Sequence, residues 1–134
     1  MSKDQFYMDI ALIVAEQSKC KRAQVGAILV KDGNVIAIGY NGTPSGFCND
    51  CENEDVTLPE VLHAESNAIA KCARSTSSAD KATLYTTLSP CFECCKLIIQ
   101  AGISRVVYKE FYRDYDRCEY LLNMCNIKLE RINK

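Results

Sequence analysis

Whatever fold this chain adopts must bring three distant residues to one point. Cys91 and Cys94 stand three positions apart directly after Pro90, and His63 lies 28 positions before the first of them. Two thiols and an imidazole are soft donors of the kind that tetrahedral Zn²⁺ takes, and no fourth protein donor is apparent. Four protein ligands only staple a fold, whereas three keep a place for water and can do chemistry. Two thiolates and a neutral imidazole also cancel the charge of the ion. Proline suits the first helical position, so Cys91 and Cys94 are expected in the first turn of a helix, on one face, where the helix dipole favours thiolate.

Glu65 follows His63 by two positions, roughly 200° around an ideal helix, so the two cannot grip one ion as an i, i+4 pair would. It reads instead as an acid/base beside the water at the metal. The alternative is a closed zinc knuckle in which Glu65 is a solvated helix residue.

The rest of the sequence supplies an α/β frame. Tyr7, Ile10, Ala11 and Val14 recur at helical spacing and predict a helix over about residues 3–18. Val25 to Val30 and Val35 to Tyr40 read as two strands joined through Lys31-Asp32-Gly33-Asn34, where Asp-Gly signals a tight hairpin. Residues 41–58 read as one long irregular loop. A helix is expected over 59–74 with His63 and Glu65 near its start and Ala64, Ala68, Ile69 and Cys72 as its apolar stripe. Then come a strand over 82–87, a helix from Pro90 to a stop at Gly102, a strand over 104–108, a helix over 114–124 and a strand over 127–132. The order αββαβαβαβ predicts a three-layer α/β fold with a mixed five-stranded sheet and helices on both faces. Residues 1–134 are expected to form a single domain.

Net charge is −1 and the pI about 5.8, so no global positive field exists to hold DNA, RNA or an anionic membrane, and a small ligand is expected. The nine cysteines are odd in number and no charged, then apolar, leader is evident, which predicts a cytoplasmic protein with reduced thiols, in the host cytoplasm if the source is viral. Cys72, Cys95, Cys118 and Cys125 read as small core residues.

His-x-Glu paired with Pro-Cys-x-x-Cys is the signature of zinc nucleobase deaminases. His63-Ala64-Glu65-Ser66-Asn67-Ala68-Ile69, Ser89-Pro90-Cys91-Phe92-Glu93-Cys94 and Gly39-Tyr40-Asn41-Gly42-Thr43-Pro44 together resemble the deoxycytidylate (dCMP) deaminases of compact bacterial or viral type, with a cytidine-deaminase-like fold. Similarity runs from Lys19 to about Tyr112. The resemblance implies hydrolytic deamination of dCMP to dUMP and ammonia, supplying dUMP for thymidylate synthesis. Glu65 would shuttle protons, and His63, Cys91 and Cys94 would hold the catalytic zinc. Main-chain groups at Ser89 and Pro90 would contact the base, and Asn41 would hold the sugar, although an Asn before Gly42 is as often a pure turn residue. Arg22, with Lys21 and Arg113, is a candidate for the phosphate, each being also an ordinary surface charge, and Tyr112 either closes over the sugar or packs. The resemblance further implies a homo-oligomer, often a hexamer, activated by dCTP with Mg²⁺ and inhibited by dTTP.

Some phage and bacterial relatives carry a second, structural zinc on a cysteine at the end of the first helix, which Cys20 matches, plus loop ligands. Cys20, Cys48 and Cys51 are then three of four, with Asp50, Glu52 or a water as the fourth, since His63 is the chain's single histidine. Three other functions stay open: a bifunctional dCMP/dCTP deaminase, a deaminase of another base, and an inactive zinc-stabilised binding protein.

Overall fold

The computed structural model describes residues 2–112 and 114–132, so Arg113, one of the phosphate candidates, lies outside the described residues. Helix α1 (Lys3–Ala15) opens on Ser2, whose side chain accepts a hydrogen bond from the Gln5 N–H. Strands β1 (Gly26–Lys31) and β2 (Asn34–Tyr40) follow as an antiparallel hairpin, with Asp32 at φ 52° and Gly33 at φ 78°. Two consecutive positive φ values are what a two-residue hairpin turn of matching twist requires, and Asp-Gly supplies them at low cost.

The segment expected to be irregular contains a miniature hairpin, β3 (Glu52–Asn53) with β4 (Val56–Thr57). Helix α2 (Ala64–Ala73), β5 (Thr83–Leu88), α3 (Phe92–Gln100), β6 (Arg105–Glu110), α4 (Tyr115–Met124) and β7 (Lys128–Arg131) complete the chain. The five long strands form one mixed sheet in the order β2-β1-β5-β6-β7, antiparallel up to β5 and parallel from β5 to β7.

Residues along the central strands alternate between two apolar layers, as the two-residue period of a strand demands. Ile28, Tyr85 and Val107 pack with Tyr7, Met8 and Ala11 of α1 on one face. Ala27, Leu29, Leu84 and Val106 pack on the other with Ala68 of α2, Ile98 of α3 and Leu122 of α4. The unbroken apolar run of β1 is thus covered on both sides, which explains why it does not alternate with polar residues. Cys72, Cys95 and Cys118 lie in this core as expected, but Cys125 does not: it follows the last turn of α4 and is exposed.

One polar cluster ties α1 to the sheet. Arg105 at the start of β6 reaches Asp4 at 2.7 Å and Glu130 at 2.6 Å, and the Tyr85 hydroxyl donates to Asp4 at 2.6 Å. The Arg105 guanidinium holds the Asp4 carboxyl below its ordinary value of 3.8. A depressed folded value means that the stabilisation is complete above the ordinary value and is lost as the pH falls through the depressed one. Asp4→Asn should therefore lower the urea midpoint at pH 6 by an amount equivalent to about 1 kcal/mol or less, since the pair is partly solvated, and the difference should shrink at a second pH well below 3.8. Paired urea titrations at the two pH values check this; an equal deficit at both would assign the effect to packing.

Candidate active site

The carboxyl end of β5 and the starts of α2 and α3 meet on one side of the sheet. Crevices at the carboxyl ends of parallel strands are where open α/β sheets place ligands. His63 is the residue before α2, with extended backbone (φ −73°, ψ 155°), and Cys91 holds the same place before α3 (φ −74°, ψ 169°). Both were expected inside their helices; each instead caps one, which turns its side chain off the helix and toward the other. Gly42 and Leu62 exchange main-chain hydrogen bonds of 3.1 and 2.7 Å, which fixes the approach to His63. On the other side, the buried Cys118 thiol donates to the Pro90 carbonyl at 3.1 Å, and the Ser89 N–H donates to the Glu110 carbonyl at 2.8 Å.

His63 Nδ1 stands 3.2 Å from Cys91 Sγ and 3.4 Å from Cys94 Sγ. Ordinary Zn–S and Zn–N bonds at tetrahedral angles place sulfur and nitrogen ~3.6 Å apart, so this donor set fits zinc with little adjustment. A hydrogen bond from the Cys94 thiol, with His63 close by, pulls the Cys91 thiol down to about 4, and the Cys94 N–H also donates to Cys91 Sγ at 3.4 Å. The first thiolate is therefore favoured by the protein itself. Contact with Cys91 raises the basicity of His63.

Glu65 is 4% exposed, and burial pushes its carboxyl up to about 7. It lines a cavity of about 370 Å³ together with His63 and Cys91. That volume is in the range of small-molecule sites. Asn41, Ser89 and Tyr112 also line the cavity, and Arg22, Glu52 and Thr57 border it. Among the described residues lining this cavity, Arg22 is the only arginine or lysine.

The other expected site residues fall as follows. Asn41 lines the cavity, but its side chain also accepts from the Val25 N–H at 2.8 Å and donates to the Ala23 carbonyl at 2.7 Å, so it braces the segment that carries Arg22. Ser89 is buried, and its hydroxyl accepts from the Tyr112 N–H at 2.6 Å. Pro90 is fully buried and is not among the residues lining the cavity, and its carbonyl is engaged by Cys118.

The second group of cysteines departs from expectation. Cys20 and Cys51 are joined as a disulfide rather than held as reduced thiols, and the third donor beside them is Glu52, while Cys48 is exposed and outside the cluster. The cause is the β3–β4 hairpin, which sets Cys51 and Glu52 against the segment after α1 that carries Cys20, Lys21 and Arg22. Glu52 and Thr57 as cavity residues were invisible in the sequence, because two-residue strands are too short to show a period. Cys118 as the brace of Pro90 carried no signal beyond that of a core residue.

Residues 1–110 match the profile of the cytidine and deoxycytidylate deaminase zinc-binding region. A solved dCMP deaminase from cyanophage S-TIM5, crystallised with dCMP and dUMP, superposes with a TM-score of 0.92 at 45% identity, over 98% of this chain and 99% of that one. ComE operon protein 2 of Bacillus subtilis (strain 168) is 38% identical over 136 residues, which span 98% of this chain and 72% of that protein. The deoxycytidylate deaminase of Homo sapiens is 36% identical over 140 residues, 95% of this chain and 78% of the human protein. Among the described residues no helix is long and apolar enough to cross a membrane.

Proposed function

The chain belongs to the cytidine and deoxycytidylate deaminase family, and on that premise we propose that it is a zinc-dependent enzyme hydrolysing dCMP to dUMP and ammonia, its site built on one domain over residues 1–134. The observation that carries this reading is the convergence of His63, Cys91 and Cys94 at 3.2–3.4 Å beside a buried carboxylate that opens on a cavity of nucleotide size. The dCMP and dUMP held by the cyanophage relative support the choice of substrate and product.

His63, Cys91 and Cys94 would hold the ion, which when bound supplies Lewis acidity to activate water. Glu65 takes a proton from the water that adds to C4 of the cytosine ring and passes it to the ring nitrogen N3, then takes the second proton from the hydroxyl now on C4 and delivers it to the amino group as the C4–N bond breaks, C4=O forms and ammonia leaves. A carboxyl whose proton is held near neutrality can both accept and return it, which a solvated glutamate does poorly. Ser89 and the neighbouring chain form the wall against the base, and Tyr112 and Asn41 line the sugar. Arg22 meets the phosphate, because a dianion needs a cation and this is the one that the described residues of the cavity lining offer. Assembly as a homo-oligomer and control by dCTP with Mg²⁺ and by dTTP belong to the same proposal.

The test is ammonia release and product chromatography for dCMP, dCTP, deoxycytidine and cytidine side by side. dCMP should be turned over with the highest kcat/KM, and adding dCTP with Mg²⁺ or dTTP to the dCMP assay tests the regulation. A preference for deoxycytidine over dCMP would overturn the role given to Arg22, and inertness toward every cytosine substrate would favour a zinc-stabilised binding protein.

A further inference from the structure

The cavity that holds Glu65 does not end at Arg22. A second cavity of about 210 Å³ adjoins it, and Arg22 and Glu52 line both. The second cavity is bordered by Lys19, Lys21 and Arg22 but also by four carboxylates, those of Asp50, Glu52, Glu54 and Asp55. Glu52 is held at the boundary by three devices. Its Oε2 accepts from the Lys21 N–H at 3.0 Å and from the Arg22 N–H at 3.1 Å. Arg22 Nη1 donates to Thr57 Oγ1 at 3.3 Å, across the same miniature hairpin. The neighbouring Cys51 is bonded covalently to Cys20, which anchors that hairpin to the segment after α1.

We infer that Glu52 is a specificity-determining residue that admits a nucleoside monophosphate and rejects a longer phosphate chain. This rests on the proposed function and adds to it the basis of phosphate selection. With the cytosine at Glu65 and the first phosphate at Arg22, any further phosphate must pass the Glu52 carboxylate into a space where carboxylates outnumber cations. Arg22 meets the charge of the first phosphate, and each added negative group meets Glu52 instead. Rejection by a fixed like charge is a common route to specificity, because the wrong ligand is penalised more than the right one is attracted.

The experiment compares kcat/KM for dCMP, dCDP and dCTP, without added Mg²⁺, in the wild type and in Glu52→Gln, with dUMP, dUDP and dUTP separated by chromatography. Glutamine keeps an acceptor oxygen for the Lys21 and Arg22 N–H groups, so the variant removes charge and retains the brace. The dCTP-to-dCMP ratio should rise about tenfold or more, dCDP should fall between, and the gain should shrink at high salt, where charges are screened. Asp50→Asn and Asp55→Asn, which leave the Glu52 hydrogen bonds alone, should move the ratio the same way by less, and they keep the inference testable if Glu52→Gln folds poorly. A ratio that stays constant or falls while the wild type deaminates dCMP overturns this inference alone. No turnover of dCMP by the wild type overturns the underlying function and this inference with it.

Discussion

Glu65→Gln should lower kcat for dCMP by about 10²–10⁴-fold, the usual worth of a positioned general acid–base, while zinc content stays at the wild-type level. Glutamine matches glutamate in size and fits the same buried place, so the fold is not at risk. It cannot accept a proton from water or deliver one to N3 and the departing amine, and among the described residues the only other carboxylate lining the cavity is Glu52, whose Oε2 is taken up by the Lys21 and Arg22 N–H groups. Metal should be retained because His63, Cys91 and Cys94 are unchanged and their mutual distances do not depend on the Glu65 side chain. Metal analysis and a steady-state assay on the same sample check both halves. A loss of less than tenfold with zinc bound would remove Glu65 from the proton path.

The second large effect concerns Gly39. It lies buried in β2 opposite Ala27, and α2 crosses directly over it. A Cβ at position 39 would strike the Ala68 main-chain nitrogen and lie 2.9 Å from Ala68 Cα. These are backbone atoms of a helix and cannot rotate aside, so α2 must lift. Overpacking of this kind costs about 1–3 kcal/mol for a methyl group. For Gly39→Ala that corresponds to a fall of about 5–10 °C in Tm. Because α2 follows directly on His63 and carries Glu65, the same displacement should weaken zinc binding, read by competition with a chromogenic chelator. Gly42→Ala is the control: its Cβ would meet nothing within 4 Å, and it should be close to neutral. Equal Tm values for the two alanine variants would contradict the close crossing of α2 over β2.

Much of this arrangement was legible from residue types and spacing. The Asp32-Gly33 turn, the mixed five-stranded sheet with helices on both faces and the meeting of His63 with Cys91 and Cys94 all follow from rules that the tertiary structure leaves in force. The helix starts were less legible. Helices expected to open at about Pro59 and at Pro90 placed His63 and Cys91 inside them, yet each is an N-cap with extended backbone, which residue types alone do not mark. Pairing of Cys20 with Cys51 bridges 31 positions and depends on a hairpin of two-residue strands, so neither spacing nor periodicity could reveal it. Glu52 shows the same limit: its place between two cavities is set by its partners, Lys21 and Arg22, which lie about thirty residues away in sequence.

The most direct test of the whole account is the initial rate of dCMP deamination by protein stripped with a chelator and then titrated with Zn²⁺. The rate should be lost with the metal and return in proportion to added zinc, reaching a plateau at one ion per catalytic site, with one ammonia and one dUMP formed per dCMP consumed. Folded, zinc-loaded protein that leaves dCMP untouched, or metal-free protein that still converts it, would contradict the account.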